Sequence, residues 1–417
     1  MENKFPHGFF WGAATAAHQV EGGNVNDWSE WEKANAERLA RDAKTKWQPW
    51  QQEKFPEMFD PQNYISGRAC DHYNRYEEDF DIAKSLGHNA HRFSIEWSRV
   101  EPQEGKFNEA EIEHYRQVIL ALRQRGLEPF VTILHWTIPL WFSLKGGWLH
   151  KDAFKYFERY CVKLAEVYGK DVKFWITFNE PIIYTSHAYL RGIWPPQKKD
   201  LFSAFRVLIN LIQAHKTAFN IIKSQNPQAQ VGLAENNIYF EGWLAWLVHY
   251  WVNHRFLNSI QKRLDFIGLN YYFHSKIRGF KFNQNDNEKI SDLGWEVYPQ
   301  GIYHVLKDMK KYKKPIYITE NGMADAKDEE RLKFIADHLA WTHKAIQEGA
   351  DVRGYFYWSL LDNFEWDKGF WPRFGLVEMD YKILERKIRP SAWEYAKICK
   401  NNLIITSSQD GNSAVLR

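Results

Sequence analysis

The sequence FWITFNEP at residues 174–181 is a short apolar run that ends at a carboxylate, Glu180. A second run of the same kind, IYITENG at residues 316–322, contains Glu320 at the equivalent point. Both runs are typical of buried β-strands, and a carboxylate at the edge of an apolar core is costly unless it is paired or used. Two such carboxylates predict a shared site, and a pair facing one bond is the arrangement that cleaves glycosidic linkages.

Eight apolar runs of strand length follow one another along the chain, mostly separated by segments with helical periodicity. The predicted strands cover residues 9–18, 90–97, 129–136, 173–179, 230–235, 265–272, 315–319 and 353–359, and the clearest amphipathic helices cover 109–125, 153–168, 201–224 and 328–348. Alternation of strands and helices along the chain predicts a parallel sheet with helical crossovers. Eight such units in one domain predict an α/β fold of the (β/α)₈ (TIM) barrel type.

The domain organisation follows from the absence of any linker, repeat or low-complexity block. We predict one catalytic domain over residues 1–404 and a disordered tail over 405–417, which contains the polar run TSSQDGNS. The long polar segment 24–67, which contains several tryptophans, follows the first predicted strand, and we expect it to fold over the barrel mouth.

The composition excludes several classes of protein. A net charge of +3 in 417 residues is too weak for a nucleic-acid partner. No stretch of about 18 apolar residues is present, so we expect no membrane partner. Without a secretory signal at the N-terminus, a cytoplasmic location is expected. The three cysteines have no disulfide or zinc spacing, and there is no phosphate loop or metal-binding helix, so we expect neither metal nor cofactor.

In a (β/α)₈ barrel, the active site lies at the C-terminal ends of the strands. The predicted strands end at or near hydrogen-bonding or stacking side chains, namely Gln19, Arg92, His135, Trp136, Asn179, Glu180, Glu235, Asn270, Tyr272, Glu320 and Trp358. Such an inventory suits a sugar, as do the 20 tryptophans in the chain.

Several motifs occur together and in a fixed order along the chain. They include NEP at 179–181, ITENG at 318–322, NFEW at 363–366, RFSIEWSR at 92–99 and FGLV at 374–377. From about residue 5 to about residue 403 the sequence resembles glycoside hydrolase family 1, the retaining β-glycosidases. Any one of these motifs could arise by chance, but the ordered set identifies the family far more specifically.

The resemblance implies a role for each matching residue. Glu180 matches the general acid/base and Glu320 the nucleophile, with carboxyl groups about 5–5.5 Å apart as retention requires. Arg92 and Tyr272 match residues that contact the nucleophile. The matching substrate-binding residues are Gln19, His135, Trp136, Asn179, Asn270, Trp295, Trp358, Glu365 and Trp366. Trp358 would lie under the sugar in subsite −1, Trp295 would face the aglycone, and Glu365 would accept hydrogen bonds from two sugar hydroxyls.

The predicted activity is hydrolysis of terminal β-D-glucosyl residues, with β-galactosyl and β-fucosyl residues as further substrates. Small β-glycosides and short oligosaccharides are the expected partners, and a homo-oligomer is left open. A transglycosylase and a catalytically silent carbohydrate-binding barrel remain alternatives, whereas a 6-phospho-β-glycosidase is disfavoured because Glu365 would repel a phosphate.

Three further interpretations concern structural details of this chain. Segment 238–264 is shorter than the family pattern, so the resemblance does not predict the shape of the barrel mouth beside the fifth strand. Glu235 is expected to support the site from behind or to face water. Glu96 and Arg99 are expected to form an ion pair.

Overall fold

The computed structural model describes residues 2–405 and contains a closed barrel of eight parallel strands. In chain order the barrel strands are β1 Phe10–Ala14, β2 Ala90–Ser94, β3 Glu128–Leu134, β4 Phe174–Asn179, β5 Gln230–Asn236, β6 Phe266–Asn270, β7 Ile316–Asn321 and β8 Val352–Trp358. Each strand pairs with its neighbours in sequence, and β8 pairs with β1 to close the barrel. The predicted (β/α)₈ barrel is therefore confirmed.

The helices surround the barrel. The longer ones are α1 Asp27–Lys46, α2 His72–Ser85, α3 Glu109–Gln124, α4 Ala153–Tyr168, α5 Leu201–Gln225, α6 Gln300–Met309, α7 Arg331–Gln347 and α8 Pro390–Asn401. Between β5 and β6, the helical pieces Ala245–His249, Tyr250–His254 and Arg255–Ile260 follow one another as segment 245–260. Within residues 2–405 no helix has both the length and the apolar character needed to cross a membrane.

The interior of the barrel is filled by aromatic rings. Phe130 stacks on Phe174 with ring centroids 4.2 Å apart, and Tyr317 lies edge-on to Phe130 at 5.2 Å. Phe266 packs so closely on Gly232 that a Cβ atom there would lie 2.4 Å from the phenylalanine ring. The filled interior leaves the C-terminal ends of the strands as the place for a cavity.

The segment 24–67 packs against the barrel mouth, as predicted. It contains α1 and the short helices Pro49–Lys54, Pro56–Phe59 and Pro61–Tyr64. The ring of Trp28 lies 4.6 Å from that of Trp366, and Lys46 forms an ion pair with Asp367 at 3.0 Å. These contacts place the segment beside the loop that follows β8.

Three details differ from the predictions. The first strand ends at Ala14, and Gln19 lies on the short helix Ala17–Val20, whose first amide donates to Ser94 Oγ at 2.8 Å. The expected pair between Glu96 and Arg99 is wrong, because Arg99 binds Glu21 at 2.9 Å instead.

The third difference concerns Ile405, at the predicted boundary between the domain and the tail. Ile405, expected in the tail, ends the strand Leu403–Ile405, which pairs antiparallel with Glu2–Lys4. The remainder of the predicted tail, residues 406–417, lies outside the described residues.

Candidate active site

One cavity opens at the C-terminal ends of the barrel strands and brings together most of the predicted site residues. Those that line it are His135, Trp136, Glu180, Tyr272, Trp295, Glu320, Trp358, Glu365 and Trp366. The other four, Gln19, Arg92, Asn179 and Asn270, are buried around these residues. Hydrogen bonds described below connect Arg92, Asn179 and Asn270, whereas Gln19 donates from Nε2 to the Phe364 carbonyl at 2.8 Å. Residues far apart in sequence thus meet in one place because parallel strands end at the same edge of a barrel.

Glu320, on β7, is held by a cation and a phenol. Arg92 Nη1 lies 2.5 Å from Glu320 Oε1, and Tyr272 donates its hydroxyl proton to Glu320 Oε2 at 2.7 Å. Burial raises the pKa of Glu320, whereas the Arg92 charge and the Tyr272 hydroxyl lower it. Both carboxylate oxygens therefore have a partner that favours the ionised form.

Glu180 follows β4 directly, and no cation among residues 2–405 is in hydrogen-bonding contact with it. Its Oε1 accepts from Asn270 Nδ2 at 2.8 Å and from Asn236 Nδ2 at 3.2 Å. Burial, followed by the nearby charge of Glu320, raises the pKa of Glu180 to about 8. At neutral pH Glu180 is therefore protonated, while its neighbour Glu320 loses its proton first.

Asn179 links the site together and fixes the tautomer of His135. Its Oδ1 accepts from Arg92 Nη2 at 2.7 Å and from Asn270 Nδ2 at 3.2 Å, so its Nδ2 faces His135 Nε2 at 3.0 Å. That nitrogen must accept, which leaves the proton of His135 on Nδ1. Burial, together with the Arg92 charge, lowers the pKa of His135 well below its usual value, so the ring is neutral.

Several buried polar atoms around the cavity make no hydrogen bond to residues 2–405. They are Gln19 Oε1, His135 Nδ1, Asn236 Oδ1 and Glu365 Oε2. Buried polar atoms in folded proteins are nearly always satisfied, so a group of exceptions at one place indicates a site for a polar ligand. Burial also raises the pKa of Glu365 to about 7, opposed by the charge of Lys368.

The backbone at the cavity is strained. Glu180, Trp136 and Trp366 have φ angles of 43°, 75° and 51°, in the left-handed region that side chains other than glycine rarely adopt. Each such residue costs on the order of 1–3 kcal/mol, and such costs are concentrated at functional sites. All three residues line the cavity.

Aromatic rings form the walls of the cavity. His135 lies roughly parallel to Trp358 and to Trp366, at 6.0 Å and 5.9 Å, on one side. On the other side, Trp295 lies 5.9 Å from Tyr272 and 5.2 Å from Phe273. The cavity therefore offers apolar faces beside a small number of polar atoms, which is the usual composition of a site for a small organic ligand.

Eight further residues line the cavity without having been predicted as site residues from the sequence. The additional lining residues are Ile183, His187, Trp194, Asn236, Ile238, Phe273, Lys368 and Phe374. Asn236 is the most important of them because it contacts Glu180, and its position at the end of the fifth predicted strand was the available signal. Lys368 could not have been found from a motif, and its ammonium group is paired with Asp367 at 2.8 Å.

Glu235 does not face water. Its side chain is fully buried, neither carboxylate oxygen makes a hydrogen bond to the described residues, and burial raises its pKa well above the usual value. Side chains alternate along a strand, so Glu235 faces the helices while its neighbour Asn236 faces the cavity. Glu235 is therefore a neutral group behind β5.

A possible metal-binding group lies outside the cavity, between segment 245–260 and α6. Within the described residues, His249, His254 and Asp308 bring their ligand atoms within 4.8 Å of one another. However, Asn253 Nδ2 donates to His249 Nδ1 at 2.9 Å, so the proton of His249 lies on Nε2, which faces Asp308 at 2.8 Å. A protonated nitrogen is not a metal ligand, and the hydrogen bonds account for this cluster.

The sequence model of glycosyl hydrolase family 1 matches residues 1–241 and 251–404. The chain belongs to this family. It is therefore a glycoside hydrolase, and its family resemblance, predicted from the ordered motifs, is confirmed. The unmatched residues 242–250 fall within segment 238–264, which follows β5.

Solved and curated relatives of this family 1 hydrolase extend over almost its full length. A β-glycosidase from Pyrococcus horikoshii is 40% identical and superposes with a TM-score of 0.86, covering 97% of this chain and 96% of the other. β-Glucosidase A from Thermotoga maritima is 34% identical over 96% of this chain and 98% of its own length. A structure of the Thermotoga maritima β-glucosidase in complex with noeuromycin is 33% identical, with a TM-score of 0.84 over 96% of this chain and 99% of the other.

Proposed function

We propose that this family 1 hydrolase is a retaining β-glycosidase that acts on terminal, non-reducing β-D-glucosyl residues through a covalent glycosyl-enzyme. β-Galactosyl and β-fucosyl residues are proposed as further glycones. The observation that carries the proposal is the different electrostatic setting of two carboxyl groups in one cavity. Glu320 contacts Arg92 and Tyr272, whereas the Glu180 carboxyl accepts hydrogen bonds from the neutral amides of Asn270 and Asn236.

In the first step, Glu320 attacks the anomeric carbon while Glu180 gives its proton to the departing glycosidic oxygen. The bond from carbon to that oxygen breaks as the bond to the Glu320 carboxylate forms. Once Glu320 is esterified, its negative charge no longer raises the pKa of Glu180. The pKa of Glu180 therefore falls, and its carboxylate, which has just given up a proton, can act as a base. In the second step Glu180 takes a proton from water, which displaces Glu320 and regenerates the β-configuration.

The glycone would be held by the buried polar atoms around the cavity. Glu365 Oε2 and Gln19 Oε1 are acceptors for sugar hydroxyl protons, and His135 Nδ1 is a donor to a hydroxyl oxygen. Trp358 offers an apolar face to the C–H bonds of the ring. The set suits an uncharged sugar with several equatorial hydroxyls.

The aglycone would lie toward Trp295. This ring, together with Phe273 and Ile238, lines the part of the cavity formed by the loops after β5 and β6. An apolar surface without a dense set of hydrogen-bonding groups favours aryl aglycones, and sugar rings that stack a C–H face on Trp295, over charged aglycones. We further propose a cytoplasmic location, which three buried free cysteines support.

The related transglycosylase differs only in the acceptor that attacks the glycosyl-enzyme. The same two carboxyl groups serve both reactions, so only the product ratio separates them. A 6-phospho-β-glycosidase is not favoured by Lys368, because that ammonium group is already paired with Asp367 and lies near Glu365.

The stereochemical course of hydrolysis tests the proposal. Proton NMR spectra recorded during cleavage of an aryl β-glucoside should show β-glucose first, followed by slow mutarotation to the α-anomer. Initial release of α-glucose would contradict a retaining mechanism. Binding of glucose without cleavage of any aryl β-glycoside would favour the catalytically silent alternative.

A further inference from the structure

The segments that follow β4, β5 and β6 carry large apolar side chains that face solvent near the barrel mouth. Phe202 is 89% exposed, Trp246 is 71% exposed and Phe280 is 84% exposed. We call the six exposed aromatic residues of these segments the rim patch, namely Phe202, Phe205, Trp243, Trp246, Trp251 and Phe280. These three segments follow neighbouring strands of the barrel, and exposed apolar groups of this size mark interaction surfaces in soluble proteins.

The first part of segment 245–260 turns its apolar side outward, whereas its last part packs Phe256, Leu257 and Ile260 into the core. Trp243, Trp246 and Trp251, like Leu247 and Tyr250, follow helical spacing and are all exposed. The polar residues face the protein instead, since His249 contacts Asp308 at 2.8 Å and Asn253 donates to the Ile238 carbonyl at 2.8 Å. An ordinary surface helix has the opposite arrangement. The core therefore gives no reason for the aromatic residues here.

A short parallel pair of strands connects the active-site cavity with the rim patch. The strands Tyr239–Gly242 and His274–Ile277 each begin beside a cavity-lining residue, Ile238 and Phe273. Beyond their far ends the rings of Trp243 and Phe280 meet at 5.7 Å. With a rise of about 3.3 Å per residue, this pair of rings lies roughly 15 Å along the chain from the cavity wall.

The charges around the rim patch are mainly positive, although Asp200 lies two residues before Phe202. Lys198 and Lys199 precede Phe202 in the chain, Arg206 follows Phe205, and Lys281 follows Phe280. Among residues 2–405 no carboxylate lies within ion-pair distance of these four cations, although Lys276 and Arg278 are paired with Asp286. Residues 242–264 contain no aspartate or glutamate. Two copies of such a surface would repel one another, so the charge favours an anionic partner.

We propose that the rim patch docks this chain on an anionic lipid surface, with the active-site mouth turned toward that surface. Tryptophan and phenylalanine side chains enter the boundary between headgroups and acyl chains, and nearby lysine and arginine side chains are attracted to anionic headgroups. No spanning helix is needed. The absence of a long apolar stretch from the sequence excludes a spanning segment but not binding at the membrane surface. The inference is independent of the proposed function.

Sedimentation with lipid vesicles tests the proposal on the full chain. We expect the protein to pellet with vesicles of phosphatidylcholine and phosphatidylglycerol, more weakly with phosphatidylcholine alone, and less as salt is raised. The double variant Trp243→Ser/Trp246→Ser should bind about tenfold more weakly or worse, because both rings lose their apolar burial. Trp393→Ser is the matched control, since Trp393 is also exposed but lies on α8. It should bind as the unmodified protein does.

A circular dichroism spectrum and a melting temperature unchanged in all variants establish that each is folded. If the double variant folds poorly, Phe202→Ser provides a second test at the start of α5. Failure of the unmodified protein to pellet with anionic vesicles would overturn the proposal, as would equal binding by the double variant. Light scattering that shows a dimer abolished by the double variant, without vesicle binding, would also overturn it and assign the rim patch to a second copy.

Discussion

Arg92 and Glu320 form a buried ion pair across the barrel, with Nη1 2.5 Å from Oε1, whereas the described part of the chain places two neutral amides and no cation against the Glu180 carboxyl. This difference separates two glutamates that look alike in sequence. The ion pair opposes the rise that burial causes in the pKa of Glu320, whereas burial raises the pKa of Glu180 to about 8. The proposed division of labour between nucleophile and acid follows from this one contact and the neutral amides opposite it.

Replacing the proposed nucleophile should abolish hydrolysis. In Glu320→Gly no carboxylate remains to attack the anomeric carbon, but the space left can admit a small anion. We therefore expect added azide or formate to restore part of the activity, with a product of inverted configuration when azide attacks. Glu235→Gln is the matched control, because Glu235 is buried and neutral behind β5, and its activity should be close to that of the unmodified enzyme.

Replacing the proposed acid should affect substrates according to their leaving groups. Glu180→Ala should lower kcat/KM by about 10²- to 10⁴-fold for alkyl glucosides and cellobiose, whose departing oxygen needs a proton. Glucosides with strongly acidic phenols should lose far less in the first step. Rates for the two substrate types are compared directly, and equal losses would count against Glu180 as the acid.

The pH profile should show the raised pKa of Glu180. The first step needs Glu180 with its proton, so kcat/KM should fall as pH rises through about 8, the pKa set by burial and the Glu320 charge. The acidic limb belongs to Glu320, which must be ionised. In Glu180→Ala, measured with an activated substrate, the alkaline limb should disappear. Its persistence would assign that limb to another group.

The hydroxyl of Tyr272 should contribute through Glu320. Tyr272→Phe removes the hydrogen bond at 2.7 Å to Glu320 Oε2. A hydrogen bond to a charged group contributes about 1.5–3 kcal/mol, so kcat/KM should fall by about 10- to 100-fold. The acidic limb should also move to higher pH, because Glu320 loses a group that lowers its pKa. Tyr271→Phe is the control, since Tyr271 bonds to the Tyr298 carbonyl and should leave the limb in place.

The fold and the central residues of the site could be predicted because both leave regular signals in the sequence. Alternating apolar runs and amphipathic helices define the barrel, and each predicted strand overlaps an observed one. Glu180 and Glu320 were recognisable as carboxylates that end apolar runs. The residues around them were reached through the family motifs rather than through physical reasoning alone.

The remaining features depend on contacts that no local pattern reveals. Asn236 and Glu235 are neighbours on β5, and only the alternation of the strand, fixed by its register, decides which of them faces the cavity. Arg99 binds Glu21 rather than Glu96 because the short helix after β1 brings Glu21 beside it. Trp243, Trp246 and Trp251 have, with Leu247 and Tyr250, the spacing of a buried helical face. Polar contacts nevertheless hold the opposite face against the barrel.

The most direct test of the proposed mechanism is to trap the glycosyl-enzyme. A 2-deoxy-2-fluoro-β-glucoside with a good leaving group should form the intermediate but release it slowly, because fluorine destabilises both transition states. Peptide mass spectrometry of the inactivated enzyme should then locate one sugar on the peptide that contains Glu320. A label on Glu180 or Glu235, or steady hydrolysis of ordinary β-glucosides with no label on any carboxylate, would contradict the account.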